Sequence, residues 1–135
     1  QEAVTLEGVR VLLAEDNELN MEIAQFLLNN AGAEVTKAVN GREAVELFQK
    51  SEIGAFDVIL MDIMMPQMDG YQATRAIRAM DRPDAATVPI IAMTANAFAD
   101  DRQKAQEAGM NEHVTKPLES GLLLRTIKEQ IQARR

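Results

Sequence analysis

Two short apolar runs in this sequence end on acidic side chains. The segment VRVLLAEDN, residues 9–17, passes from apolar residues to Glu15 and Asp16. The segment VILMDIMMPQMDG, residues 58–70, ends its apolar run on Asp62. A buried strand gains nothing from a charge at its tip unless something beyond the tip uses it. Two more polar residues stand in similar places, Thr94 after PIIAM and Lys116 after HVT. Three clustered carboxylates repel and raise the pKa of at least one of them. A divalent, oxygen-seeking cation relieves that repulsion, and Mg2+ typically takes one or two carboxylates while keeping several waters. Lys116 would add a positive point charge and Thr94 a hydroxyl donor. Such a set suits an incoming phosphoryl group, whose transition state spreads negative charge over three oxygens. A carboxylate nucleophile would then form an aspartyl phosphate.

These residues can meet only if the chain brings four strand ends together. Short apolar runs alternate with amphipathic stretches along its length. Strands are expected over 9–14, 34–38, 57–61, 88–93 and 112–115. Helices are expected over 18–31, 41–50, 71–80, 98–108 and 120–133. The first helix carries Leu19, Ile23, Phe26 and Leu27 on one face and stops at Gly32. The second would turn Ala44, Val45, Leu47 and Phe48 inward, and the fifth Leu123, Leu124, Ile127 and Ile131. Five successive strand–helix units with near-continuous apolar strands indicate an α/β fold, a parallel sheet with helices on both faces. Right-handed crossovers leave few topologies, and the flavodoxin-like (βα)5 order 2-1-3-4-5 leads for five units. Ligands in such sheets bind outside the carboxyl ends of the strands, where the strand order reverses. That point lies between strands one and three, beside Glu15, Asp16 and Asp62.

The chain of 135 residues fits one domain and can bury roughly 70% of the surface its unfolded form exposes. Residues 1–8 read as a linker remnant and residues 9–133 as the folded domain. No apolar run approaches the roughly 20 residues that span a bilayer, and no signal peptide is evident. The net charge of −7 opposes non-specific nucleic-acid binding. It suits cation recruitment, or simply solubility. With no cysteine, disulfides and thiolate metal sites are excluded. With no Trp and one Tyr, a stacking surface for a flavin or single-stranded nucleic acid is not supported.

Each polar tip also has a plain structural explanation. Glu15, Asp16 or Asn17 could cap the following helix. Asp62 could be a solvated loop residue, Thr94 an ordinary strand residue and Lys116 a surface lysine. Those explanations do not account for all the tips falling at one end of one sheet. Met61, Met64, Met65 and Met68 read as flexible packing rather than a soft metal site.

In this order and spacing, VLLAEDN, VILMDIMMPQMDG, PIIAMTA and HVTKP resemble the receiver domain of bacterial-type response regulators, over nearly the whole chain. The stretches EDNELN, MTANAF and AGMNEHVTKP look most like receivers attached to hybrid sensor histidine kinases. The resemblance implies that Asp62 accepts a phosphoryl group from a partner's phosphohistidine. Asp16 would bind Mg2+ directly, Glu15 through water, and Met64 through its backbone carbonyl, with Asp62 completing the protein's share. Thr94 would hydrogen-bond a phosphoryl oxygen and report phosphorylation by reorienting. Lys116 would pair with the carboxylate and then with the phosphoryl group, aimed by a cis Lys116–Pro117 peptide. Pro66 would extend Met65 and Asp69-Gly70 would turn the chain, so that the loop curls over the site. The resemblance further implies a two-component or phosphorelay role, and a switch in the face formed by the fourth helix, fifth strand and fifth helix. A histidine kinase or histidine phosphotransfer domain would be the partner. The location would be cytoplasmic, within a parent chain that can carry kinase domains and a membrane tether. Such a domain catalyses its own phosphorylation and dephosphorylation without turning over an outside substrate.

Two features depart from the family pattern or vary within it. His113 stands three residues before Lys116, where a switching Tyr or Phe is usual, and a titrating ring there would make switching pH-sensitive. Met64 and Asn96 occupy variable positions that tune hydrolysis of the aspartyl phosphate. Two other readings remain open from sequence. One is a receiver-like docking module without phosphotransfer. The other is a hydrolase with an aspartyl-phosphate intermediate, resembling haloacid-dehalogenase-type phosphatases. Those use a second Asp two residues after the nucleophile, where Met64 stands here.

Overall fold

A computed structural model describes residues 5–95 and 99–134. Asn96 and the expected start of the fourth helix at Phe98 lie outside the described residues. Strands β1 (Arg10–Ala14), β2 (Glu34–Ala38), β3 (Val58–Asp62), β4 (Ile90–Thr94) and β5 (Glu112–Thr115) alternate with five helices. These are α1 (Glu18–Asn30), α2 (Gly41–Lys50), α3 (Gly70–Arg78), α4 (Ala99–Ala108) and α5 (Ser120–Arg134). All strand pairs are parallel and the order is β2-β1-β3-β4-β5, as the alternation of apolar runs and helices predicts. A short 3-10 turn, Pro83–Ala85, forms in the loop expected before the fourth strand.

The sheet separates two apolar layers because alternate strand side chains point to opposite faces. Leu12, Ile59, Met61, Ile90 and Ala92 pack with Ala44 and Phe48 of α2, Ala73 and Ile77 of α3 and Ala105 of α4. Val11, Leu13, Val58, Leu60, Ile91 and Met93 pack with α1 and α5 on the other side. β3 and β4 are buried along their whole length, which fits central strands covered on both faces. Leu6, within the stretch read as a linker, is fully buried, and its N–H donates to Ala31 O at 2.8 Å.

Helix α1 differs from the face drawn in the sequence. Met21, Ala24 and Leu28 are the residues it buries, together with part of Leu27. Leu19, Ile23 and Phe26 point away from the core and are 64%, 43% and 67% exposed. The helix carries two apolar stripes, and the sheet takes the one with the smaller residues. No helix among the described residues is long and apolar enough to cross a membrane.

Candidate functional site

The site is built from the carboxyl ends of four strands. β1 runs directly into Glu15, whose N–H donates to Ala38 O at the end of β2. Asp16 follows, exposed. Asn17 then caps α1 by accepting the Asn20 N–H, so one of the three candidate caps performs that task and Asp16 is left to the site. Glu15 Oε2 accepts the Asn17 N–H at 3.1 Å, which fixes its carboxylate facing inward at 2% exposure. Asp62 is the last residue of β3, paired in register with Met93, and is 3% exposed.

Gly70 explains how the next segment fits over Asp62. It is the first residue of α3, and a Cβ there would collide with the Asp62 carbonyl oxygen and with Ile63. Its N–H donates to Ile63 O at 2.9 Å. Asp69, immediately before, closes a capping box with Gln72. The turn expected from Asp69-Gly70 is therefore a helix start pressed against the strand that carries Asp62. The sequence signals this only as a glycine. Between them the loop holds Met64, whose N–H donates to Asp62 Oδ1 at 3.3 Å and whose side chain is 75% exposed.

One oxygen each of Glu15, Asp16 and Asp62 lie within 4.8 Å of one another. Lys116, just past β5, places Nζ 2.8 Å from Glu15 Oε1 and 3.2 Å from Asp62 Oδ2. Its N–H donates to Thr94 O at 2.8 Å, which ties the lysine to the end of β4. Thr94 is itself 8% exposed, and the Lys116–Pro117 peptide is cis. His113 lies elsewhere. It lines a recess of about 210 Å3 with Arg102 and Gln106 of α4, and its Nδ1 is 3.3 Å from Glu112 Oε1.

The electrostatics ask for more positive charge than Lys116 supplies. Burial pushes the Asp62 carboxyl up to about 7, and the neighbouring Glu15 carboxylate pushes the same way against the pull of Lys116. For Lys116, burial is the largest influence and lowers its pKa, but Glu15 and Asp62 together outweigh it and leave it raised. Two carboxylates at this separation repel by about 3–4 kcal/mol at an effective dielectric of about 20. One ammonium does not balance three carboxylates, and an all-oxygen donor set of this kind fits a hard divalent cation.

Comparison with known proteins agrees with this geometry. Residues 11–128 match the family model for the response regulator receiver domain. The chain is 40% identical over 124 residues to hybrid signal transduction histidine kinase I of Dictyostelium discoideum, covering 90% of this chain and 7% of that protein. It is 40% identical over 119 residues to the sensor protein GacS of Pseudomonas syringae pv. syringae, covering 87% of this chain and 13% of that protein. The chain thus spans a small part of these relatives. Among solved structures it superposes on the receiver domain of a sensor histidine kinase from Pseudomonas aeruginosa, which holds a magnesium ion in its active-site cleft. That match has a TM-score of 0.83 and 39% identity, covering 93% of this chain and 98% of the other. A chemotaxis protein of Vibrio cholerae superposes with a TM-score of 0.82 and 30% identity, covering 90% of this chain and 97% of that one. By its matched family model, its relatives and its fold, the chain belongs to the response regulator receiver domain family.

Proposed function

We propose that this receiver domain takes a phosphoryl group onto Asp62 from the phosphohistidine of a histidine kinase or histidine phosphotransfer domain. Phosphorelay signalling is the work of its family. The observation that carries the assignment to Asp62 is its position. It is buried at the tip of β3, 3.2 Å from the Lys116 ammonium and within 4.8 Å of two further carboxylates. Glu15, Asp16 and Asp62 would hold Mg2+, with the Met64 carbonyl as a further ligand. The ion, when bound, supplies charge neutralisation for the phosphoryl oxygens.

The chain's own residues account for the rest of the chemistry. An Asp62 carboxylate oxygen attacks phosphorus in line with the leaving imidazole nitrogen. The O–P bond forms as the P–N bond breaks, and the electron pair of that bond returns to the imidazole. Lys116 then faces the phosphoryl oxygens in place of the free carboxylate, and Thr94 offers its hydroxyl to one of them. Water later attacks the acyl phosphate and restores Asp62. No outside substrate is turned over. The Thr94 movement and a change at His113 would pass the charge change to the face formed by α4, β5 and α5. The setting we propose is cytoplasmic, within a parent chain that carries kinase domains.

The test is intact-protein mass after incubation with acetyl phosphate, with and without Mg2+, beside Asp62→Asn. One added phosphoryl group that requires both Mg2+ and Asp62 is the expected result. No adduct, together with no beryllofluoride bound at Asp62, would overturn the assignment and leave a docking module. A hydrolase acting on outside substrates would need an acid–base group two residues beyond Asp62, and Met64 has none.

A further inference from the structure

Helix α2 begins on Gly41, which is buried. A Cβ there would collide with the Met68 carbonyl oxygen and stand 3.3 Å from the Ala73 methyl. Met68 belongs to the loop between β3 and α3, the same loop that carries Met64. The first turn of α2 is therefore a floor for that loop, and the floor is fixed. Asn40 Oδ1 accepts the Glu43 N–H at 2.8 Å, and Glu43 Oε1 accepts the Val39 N–H at 3.1 Å. Ala44 and Phe48, further along the helix, are fully buried in the core. The loop has little slack of its own. The Gly70 N–H, bonded to Ile63 O at 2.9 Å, closes it at its base. Inside it, the Met68 N–H donates to Pro66 O at 2.7 Å around Gln67, whose φ is 69°. Such a three-residue turn at positive φ is strained for a residue with a side chain. Met65, which shares a peptide with the Met64 carbonyl, is buried in the same core layer as Phe48. At the near end of the loop the Met64 N–H donates to Asp62 Oδ1.

We propose that Gly41 is a positioning residue for the phosphoacceptor site: having no side chain, it lets the Met68 carbonyl rest on the first turn of α2 and so sets the height of the loop from which Met64 serves Asp62 and Mg2+. The inference rests on the phosphoacceptor reading above and adds to it a residue that touches none of the reacting groups. A methyl group at Gly41 must displace something. The helix start is held by its two capping hydrogen bonds and by the core beneath it, so the loop yields. With its base closed and its tip wound into a turn, the loop shifts as a unit, and the Met64–Met65 peptide shifts with it. Mg2+ demands near-ideal octahedral geometry, so its binding is sensitive to a misplaced carbonyl. The ordinary effect of the substitution runs the other way. Alanine is a better helix former than glycine and restricts the unfolded chain, so Gly→Ala within a helix commonly stabilises. A loss at Gly41 is thus the signature of the contact with Met68.

The experiment compares wild type with Gly41→Ala, Gln67→Gly and a control, Gly54→Ala. Gly54 precedes β3, at the opposite end of that strand from Asp62. Its φ is 81° with open space at its Cβ position, so alanine there strains the backbone away from the site. Isothermal titration calorimetry measures Mg2+ binding directly. Gly41→Ala should raise the dissociation constant about tenfold, the scale for disturbing a group that holds a metal ligand in place, and Gly54→Ala should leave it within about twofold. Gln67→Gly removes the strain and the stiffness of the turn together, so it should weaken Mg2+ binding in the same direction without loss of stability. In metal-free protein the amide chemical shifts of Met64, Met65 and Met68 should move in Gly41→Ala and stay in place in Gly54→Ala. Labelling by acetyl phosphate should need correspondingly more Mg2+ for half its maximal rate, while the rate at saturating Mg2+ stays within about threefold of wild type. Unchanged Mg2+ binding in Gly41→Ala and Gln67→Gly, with wild type labelled at Asp62, would overturn the positioning role alone. So would an equal loss of Mg2+ binding in Gly54→Ala, which would trace the effect to stability. Should Gly41→Ala not fold, Gln67→Gly decides by itself. Failure of wild type to bind Mg2+ or to be labelled at Asp62 would overturn the phosphoacceptor reading and the positioning role with it.

Discussion

The Lys116 ammonium stands 3.2 Å from Asp62 Oδ2 although the two residues lie two strands and two helices apart along the chain. The contact closes only when β3, β4 and β5 lie side by side. Lys116→Ala should slow phosphorylation by acetyl phosphate by about 10- to 100-fold, the usual scale for losing one charge-stabilising group. The fold should survive, because Lys116 is part exposed and lies beyond the end of β5. A mass time course checks this, and a wild-type rate would remove Lys116 from the chemistry.

Asp62 gives the domain a pH signature in the absence of metal. Its folded pKa of about 7 lies above the ordinary carboxylate value. The proton is therefore bound more tightly in the folded state. The stability contributed by this group is full below the unfolded pKa of about 4 and is lost as pH rises toward 7. Asp62→Asn, neutral at every pH, should equal wild type near pH 4 and exceed it at pH 8 by about 1–3 kcal/mol in chelator. Millimolar Mg2+ should narrow the gap by stabilising wild type preferentially. Urea unfolding at the two pH values is the measurement, and coincident curves at pH 8 without metal would contradict the account.

Arg82 ties the 3-10 turn to the end of α2. Its guanidinium donates to the carbonyls of Phe48, Ser51 and Glu52 at 2.7–3.0 Å and pairs with Asp84 at 2.6 Å. It also lies 4.5 Å from the centre of the Phe48 ring. Phe48 O, in the last turn of α2, also accepts the Ser51 N–H and hydroxyl, while Ser51 and Glu52 lie just beyond the helix end, where helix geometry supplies no further donors. Arg82→Ala should cost about 2–4 kcal/mol, and Arg82→Lys should recover less than half of it, since an ammonium cannot reproduce the planar fork. The Arg82 hydrogen bond, the largest influence, holds the Asp84 carboxyl below the usual range. The stability it lends is present above pH about 4 and disappears as pH falls through that lowered value. Denaturant midpoints at pH 7 and pH 3 test both points.

Thr74 has a buried hydroxyl with no hydrogen-bond partner among the described residues. Thr74→Val keeps the shape and removes the unsatisfied oxygen, so it should raise stability by about 1 kcal/mol. A lower melting temperature would show that the hydroxyl is satisfied after all.

Gly70 links stability to the site. Gly70→Ala places a methyl group against the Asp62 backbone, which cannot move without moving the carboxylate. We expect a loss of about 2 kcal/mol or more, the scale of overpacking, together with weaker Mg2+-dependent labelling. Full labelling in a destabilised protein would separate the two effects.

Much of this molecule was legible in the sequence by itself. The five apolar runs separated by amphipathic stretches determined the parallel sheet, because fully buried strands and crossover helices leave that pattern and few topologies satisfy it. The carboxylates of Glu15, Asp16 and Asp62 could be placed at one sheet end because each directly follows or closes a run. The tertiary structure decided what depends on contacts between distant segments. It chose Met21, Ala24 and Leu28 of α1 for the core and left Leu19, Ile23 and Phe26 outside. Periodicity shows that a stripe exists, but when a helix carries two, the space left by the sheet and α5 selects between them. It likewise turned Arg82 into the cap of α2 and Gly70 into the seat for Asp62, roles that a polar or small residue does not announce. Those roles arise only where the packed backbone gathers several carbonyls within reach of one side chain or leaves no room for a Cβ.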